Sequence, residues 1–69
     1  MKKICVIGAG PWGKNHINTL NKLDALGGVV EIQSDIRNNI KTEYPHVKVY
    51  SDIKDALLDA FAGYIVVTP

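Results

Sequence analysis

Three glycines, Gly8, Gly10 and Gly13, stand in the spacing G-x-G-x-x-G directly after the apolar run Lys3-Ile4-Cys5-Val6-Ile7. An acid, Glu31, directly follows a second apolar stretch that ends in Val29-Val30. Glycines so placed can hold an anion without a basic side chain. A chain that leaves a buried strand and enters a helix within about three residues needs a first turn position free of Cβ clashes, which Gly8 supplies. Gly10 leaves the backbone open to close approach, and Gly13, one turn into the helix, lets that helix sit close on the strand beneath it. The first N–H groups of a helix have no intrahelical partner and carry the positive end of the macrodipole, so a pyrophosphate is stabilised there.

Glycines are common in turns, so the surrounding pattern carries the inference. A preceding strand, a following helix and an acid at the tip of the next strand are all readable here. Read as a plain structural turn, the same segment leaves the regular glycine spacing unexplained. In a dinucleotide fold, that acid accepts hydrogen bonds from the ribose hydroxyls and repels a 2′-phosphate, which favours NAD over NADP. Glu31 sits where the strand ends, whereas Asp35 lies at the start of the next helix, where an acid suits the helix N-terminus. Glu31 is therefore the expected ribose residue. Ala9, Pro11 and Trp12 complete the turn, and the Trp12 ring either covers a bound cofactor or packs beneath a neighbouring loop. Thr68-Pro69 follows the last strand at the carboxyl edge of the sheet, where ligands of such folds bind.

No other residue forms a reactive constellation. His16 and His46 have no carboxylate or second histidine at ligand spacing, so no metal site and no acid–base pair is assigned. Lys14 lies near the turn but on an ordinary exposed helix face. No nucleophile motif is present, and no catalytic residue is assigned.

The elements that position the turn follow from patterning. Lys3 to Ile7 is a continuous apolar run, as a central parallel strand requires. A helix starts at Pro11, which at the first helical position loses no hydrogen bond, and Gly13, Ile17, Leu20 and Leu23 or Asp24 fall near one face. Leu26-Gly27-Gly28-Val29-Val30 is a second strand whose paired glycines predict a close approach. Ser34 is the expected cap of a helix over 35–44 carrying Ile36, Ile40 and Tyr44, stopped by Pro45. Val47 to Tyr50 is a third strand, Ser51 the expected cap of a third helix with the stripe Ile53, Ala56, Leu57, Ala60, and Gly63 to Val67 a fourth strand. The alternation predicts an α/β, truncated Rossmann-like three-layer fold over residues 1–69, with a parallel sheet of about four strands in the order 3-2-1-4. Its fourth strand would be an apolar, uncharged edge, expected to pair with another copy or a further domain.

Composition bounds the partners. The 69 residues allow at most one domain, 46% hydrophobic and 22% charged content is ordinary for a globular chain, and a net charge of +1 leaves no basic face for nucleic acid. The first apolar run is too short for a membrane span or a signal peptide. Cys5 is the only cysteine, so no internal disulfide forms and a cytoplasmic, reducing compartment is expected.

The run Val6-Ile7-Gly8-Ala9-Gly10-Pro11-Trp12-Gly13-Lys14-Asn15-His16, with Val29-Val30-Glu31 and Ile65-Val66-Val67-Thr68-Pro69, resembles the glucose-fructose oxidoreductase/inositol dehydrogenase/MocA family over nearly the whole chain. Trp12-Gly13 in the turn and Tyr44-Pro45 before a short strand are most similar to members acting on nucleotide sugars. The resemblance implies an NAD-binding portion of an oxidoreductase that moves a hydride between a sugar hydroxyl carbon and NAD(P). Gly8, Gly10 and Gly13 would shape the pyrophosphate site, Glu31 the ribose site, and Thr68-Pro69 the approach to the nicotinamide ribose. The family's Glu-Lys-Pro segment with its catalytic lysine, and its substrate domain, would lie beyond Pro69, so this chain is not expected to turn over alone. The alternative is a stand-alone nucleotide-binding regulatory module.

Overall fold

The computed structural model describes residues 3–67. Seven elements alternate along the chain: β1 (Ile4–Ile7), α1 (Pro11–Lys22), β2 (Leu26–Val30), α2 (Ser34–Glu43), β3 (Lys48–Tyr50), α3 (Ile53–Leu58) and β4 (Gly63–Val66). All strand pairs are parallel, and the sheet order is β3-β2-β1-β4. The fold is α/β and consistent with a Rossmann-like sheet of four strands. Because every strand runs the same way, all carboxyl ends meet at one edge of the sheet. The chain first winds outward from β1 through β2 to β3 and then returns to the other side of β1, which opens a crevice at that edge.

Burial explains the strand sequences. Successive residues of β1 point to opposite faces, and both Cys5 and Val6 are fully buried, so polar alternation has no place there. One face packs Val6, Val29 and Leu26 against Ile17 of α1 and Ile40 of α2, with Ala9 and Val47 closing the cluster. The other face buries Cys5 and Val30 under Ala56 of α3, flanked by Tyr50, Phe61 and Tyr64. Burial pushes the Cys5 thiol up to about 11, so at neutral pH it is a protonated, hydrophobic filler.

The paired glycines of β2 do admit close neighbours: the Phe61 ring meets both, joined by the Lys3 Cβ at Gly27 and the Tyr50 ring at Gly28. The β1–β2 register slips, with Ile4 opposite Leu26 but Cys5 opposite Gly28, so Gly27 is the extra residue of a bulge. A Cβ on Gly28 would lie 2.7 Å from the Phe61 ring, and one on Gly27 would lie 2.8 Å from it. Phe61 in turn meets Tyr50 and Tyr64 edge-on, with ring centroids 6.1 and 5.9 Å away.

Several local expectations are corrected. The buried stripe of α1 ends at Leu20: Leu23 is 70% exposed and Asp24 has left the helix with φ 56°, where it holds the Lys3 ammonium at 3.1 Å. Ser34 is the first helical residue of α2 and caps nothing; Gln33 is the N-cap, without a side-chain bond, and its backbone N–H donates to Glu31. Asp52 rather than Ser51 caps α3, accepting from the Lys54 N–H at 2.9 Å. Of the stripe on α3 only Ala56 is buried, since the helix ends at Leu58 and Ala60 turns away with φ 50°. Leu57 and Leu58 face outward, and β4 pairs only with β1 among the described strands, leaving Val66 63% exposed at the sheet edge. No described helix is long and apolar enough to cross a membrane.

Candidate functional site

The glycine turn is built by contact on both sides. Gly8 has φ +101°, a conformation L side chains rarely adopt, and a Cβ there would sit 2.1 Å from the Val67 carbonyl oxygen. A Cβ on Gly13 would lie 1.9 Å from the Gly8 carbonyl oxygen, so α1 rests directly on the turn it follows. Around Gly10 the space that a Cβ would occupy is open. The three glycines thus do different work: Gly8 bends the chain, Gly13 lets the helix close on it, and Gly10 leaves a face uncovered.

That uncovered face belongs to a pocket of about 390 Å³ at the carboxyl edge of the sheet. Its walls come from the ends of β1 and β2 (Ile7, Val30), the turn (Gly8, Gly10, Pro11, Trp12, Gly13), the segment after β2 (Glu31, Ile32, Gln33), Ile36 of α2 and Val67. The volume lies within the range of about 300–1,000 Å³ usual for small-molecule sites. α1 opens onto it with Gly10 as N-cap, no side-chain cap and no acid in its first turn. Its leading N–H groups therefore face the pocket with the helix dipole behind them.

Glu31 is the one ionisable side chain on that wall among the described residues. It is 7% exposed, the only buried polar or charged residue among those described. Its Oε1 accepts from the Ala9 N–H and its Oε2 from the Gln33 N–H, each at 2.9 Å. Backbone bonds fix the neighbouring strand ends: the Gly8 N–H donates to the Val30 carbonyl, the Glu31 N–H to the Tyr50 carbonyl, and the Val67 N–H to the Ile7 carbonyl. The guanidinium of Arg37 donates from Nη1 to the carbonyls of Glu31 and Ile32, both at 2.8 Å, tying α2 to the loop that carries the carboxylate.

Gly8, Gly10, Pro11, Trp12, Gly13 and Glu31 are brought to one pocket. Ala9 is fully buried behind it, and its N–H is committed to Glu31. Trp12 is 74% exposed on the rim. Asp35, the competing acid, is exposed in the first turn of α2 and is not on the wall. Thr68 and Pro69 lie outside the described residues, whose last member, Val67, reaches the pocket. Lys14 and His16 are on the surface of α1, and no group of three or more His, Cys, Asp or Glu among the described residues could hold a metal ion.

Sequence reasoning did not select Ile32, Gln33, Ile36 or Arg37. Ile32 had a readable signal, an isoleucine directly after a strand-end acid, and it is 81% exposed at the pocket rim. The role of Gln33 runs through its backbone N–H and leaves no trace in residue type, whereas Arg37 acts through its guanidinium on carbonyls that any residue would offer.

The site can therefore offer a helix N-terminus to an anion, a carboxylate with unused lone pairs to hydroxyl donors, and apolar walls to a flat ring. Neither a protein-family model nor a curated protein matches the chain.

Proposed function

We propose that the chain binds a dinucleotide, NAD in preference to NADP, and serves as the nucleotide-binding portion of an oxidoreductase acting on a sugar or nucleotide-sugar hydroxyl. The observation that carries this reading is that one pocket is walled both by the uncapped N-terminus of α1 and by the Glu31 carboxylate. A pyrophosphate fits the first and a ribose diol the second. An ionised carboxylate offers roughly four acceptor sites; the N–H groups of Ala9 and Gln33 take two of them, leaving acceptors for two hydroxyls. A 2′-phosphate on the same ribose would meet the Glu31 charge, which is the basis of the preference for NAD. The open space at Gly10 supports the fit, because it lets the phosphates reach the backbone.

Bound NAD would accept a hydride from a hydroxyl-bearing carbon. The part played by this chain is binding and orientation: α1 and the turn hold the phosphates, and Glu31 holds the ribose. No pocket residue is placed to take the hydroxyl proton, so that step falls to residues supplied from outside the site. A cytoplasmic, reducing setting suits the buried free thiol of Cys5.

A second reading, a nucleotide-sensing regulatory module, draws on the open edge of β4, where Val66 is 63% exposed. An edge of this kind suits a second copy of the chain or a further domain. Size measured over a concentration range separates these partners from a persistent monomer, which would remove self-association.

Titration of NAD, NADP and AMP, followed by the fluorescence of Trp12, tests the central claim. NAD and AMP should saturate, NADP should bind more weakly, and Glu31→Ala should weaken NAD while Asp35→Ala leaves it unchanged. The absence of any saturable response would remove both readings.

A further inference from the structure

Glu31 does more in this fold than present a carboxylate to a ribose. Its two oxygens accept from N–H groups on two separate segments, Ala9 in the glycine turn and Gln33 at the N-cap of α2, while Arg37 holds the Glu31 carbonyl from the other side. The carboxylate is buried, and Ala9 is fully so, which makes each of these bonds costly to leave unmade. We propose that Glu31 is the positioning residue of the phosphate turn: it pins the turn to the β2–α2 segment, so that the affinity of the α1 N-terminus for a phosphate depends on a side chain that the phosphate does not touch. The inference rests on the nucleotide-site reading and adds a coupling between its two halves.

The chemistry of the two donors makes the demand specific. Glutamine cannot replace glutamate, because two N–H donors face the two oxygens and a glutamine amide would turn its NH2 group against one of them. Aspartate keeps the charge but is shorter by one methylene and cannot span both N–H groups from the same backbone position. With the pin lost, Ala9 has a buried N–H without an acceptor, and the turn shifts to satisfy it.

Electrostatics and positioning give opposite signs, which makes the proposal testable. Inorganic pyrophosphate has no ribose. If Glu31 acted only through ribose contact and charge, Glu31→Gln would bind pyrophosphate as well as the wild type or better, since a negative charge near the anion has gone. Positioning requires the reverse, a loss of about tenfold, the equivalent of one buried donor left unpaired.

The experiment measures calorimetric affinity for pyrophosphate and for NAD in the wild-type chain, Glu31→Gln and Glu31→Asp, with amide hydrogen exchange on each ligand-free protein. Both variants should lose pyrophosphate affinity, the aspartate despite keeping its charge. Protection at the Ala9 and Gln33 amides should fall in both, while amides of β1 and β4 keep theirs, which also shows that the variants are folded. Should the wild type bind neither NAD nor pyrophosphate, the nucleotide site and this coupling fall together. Should NAD bind to the wild type while pyrophosphate affinity in Glu31→Gln is unchanged or raised, the coupling alone is overturned. Equal Ala9 protection in wild type and variants overturns it as well.

Discussion

On the face of the sheet that carries α1 and α2, Val6, Val29, Ile17 and Ile40 are each at most 1% exposed and interlock as aliphatic side chains. The opposite face, under the six-residue α3, buries Cys5, Val30 and Ala56 and then relies on the edges of three half-buried rings, Tyr50, Phe61 and Tyr64. The glycine turn leads into α1 on the first face, and the pocket lies at the carboxyl edge of the sheet, between that turn and Ile36 of α2. Close aliphatic packing under α1 allows backbone atoms to approach within contact at Gly8 and Gly13, and a phosphate site needs that fixed geometry. The ring-packed face carries no such demand, and it ends in exposed Leu57, Leu58 and Val66.

Gly13→Ala should sharpen this contrast most. Its Cβ would lie 1.9 Å from the Gly8 carbonyl oxygen, backbone against backbone, and neither can yield cheaply. A loss of about 4 kcal/mol is expected, at the upper end of overpacking effects, against a total stability of about 3–10 kcal/mol for a chain this short. Urea unfolding measures it, and an unchanged midpoint would mean that α1 does not rest on the turn.

Core truncation comes next. Ile17→Ala removes a fully buried side chain and should cost about 3 kcal/mol, whereas Leu57→Ala on α3, 54% exposed, should stay within about 0.5 kcal/mol. Equal costs would break the comparison between the faces.

The socket in β2 predicts a coupling between Gly28 and Phe61. Gly28→Ala gains strand propensity but drives a Cβ to 2.7 Å from the Phe61 ring, for a net loss of about 1 kcal/mol. In a Phe61→Leu background the closest clash is relieved while the Tyr50 ring stays 3.0 Å from the Cβ, so the same substitution should cost clearly less. A double-mutant cycle reads the coupling, and additivity would show that the glycines are not there for Phe61.

The smallest effect lies at the rim of the ring-packed face, where the Tyr50 hydroxyl donates to Asp59 and the Lys48 ammonium stands 3.6 Å from the same carboxylate. The Tyr50 hydrogen bond, assisted by Lys48 and opposed by desolvation, holds the Asp59 carboxyl below its ordinary 3.8. Its contribution is therefore complete above about pH 4 and is lost as pH falls through the depressed value. Desolvation, followed by the bond to Asp59, raises the Tyr50 phenol above its ordinary 10.0, so the alkaline limb loses stability once pH exceeds that value. Tyr50→Phe should flatten both limbs of a plot of urea midpoint against pH while changing the neutral midpoint little; a wild-type pH profile in the variant would show that this contact contributes nothing.

Patterning pointed to the run of elements, the parallel sheet with its order β3-β2-β1-β4 and the glycine turn, and it singled out Glu31, which the fold sets on the pocket wall, over Asp35, which it does not. The elements and the turn depend on local steric and hydrophobic periods, which residue type records directly, and the strand order follows from their alternation through right-handed crossovers. The tertiary structure decided what the side chains meet. It set Phe61 into the glycines of β2, ended the α1 stripe at Leu20, replaced Ser34 and Ser51 as caps by Gln33 and Asp52, and turned Leu57 outward. It also gave both Glu31 oxygens to the N–H groups of Ala9 and Gln33. Every residue but proline carries a backbone N–H, so its letter in the sequence cannot say which N–H will be left over for a carboxylate to hold.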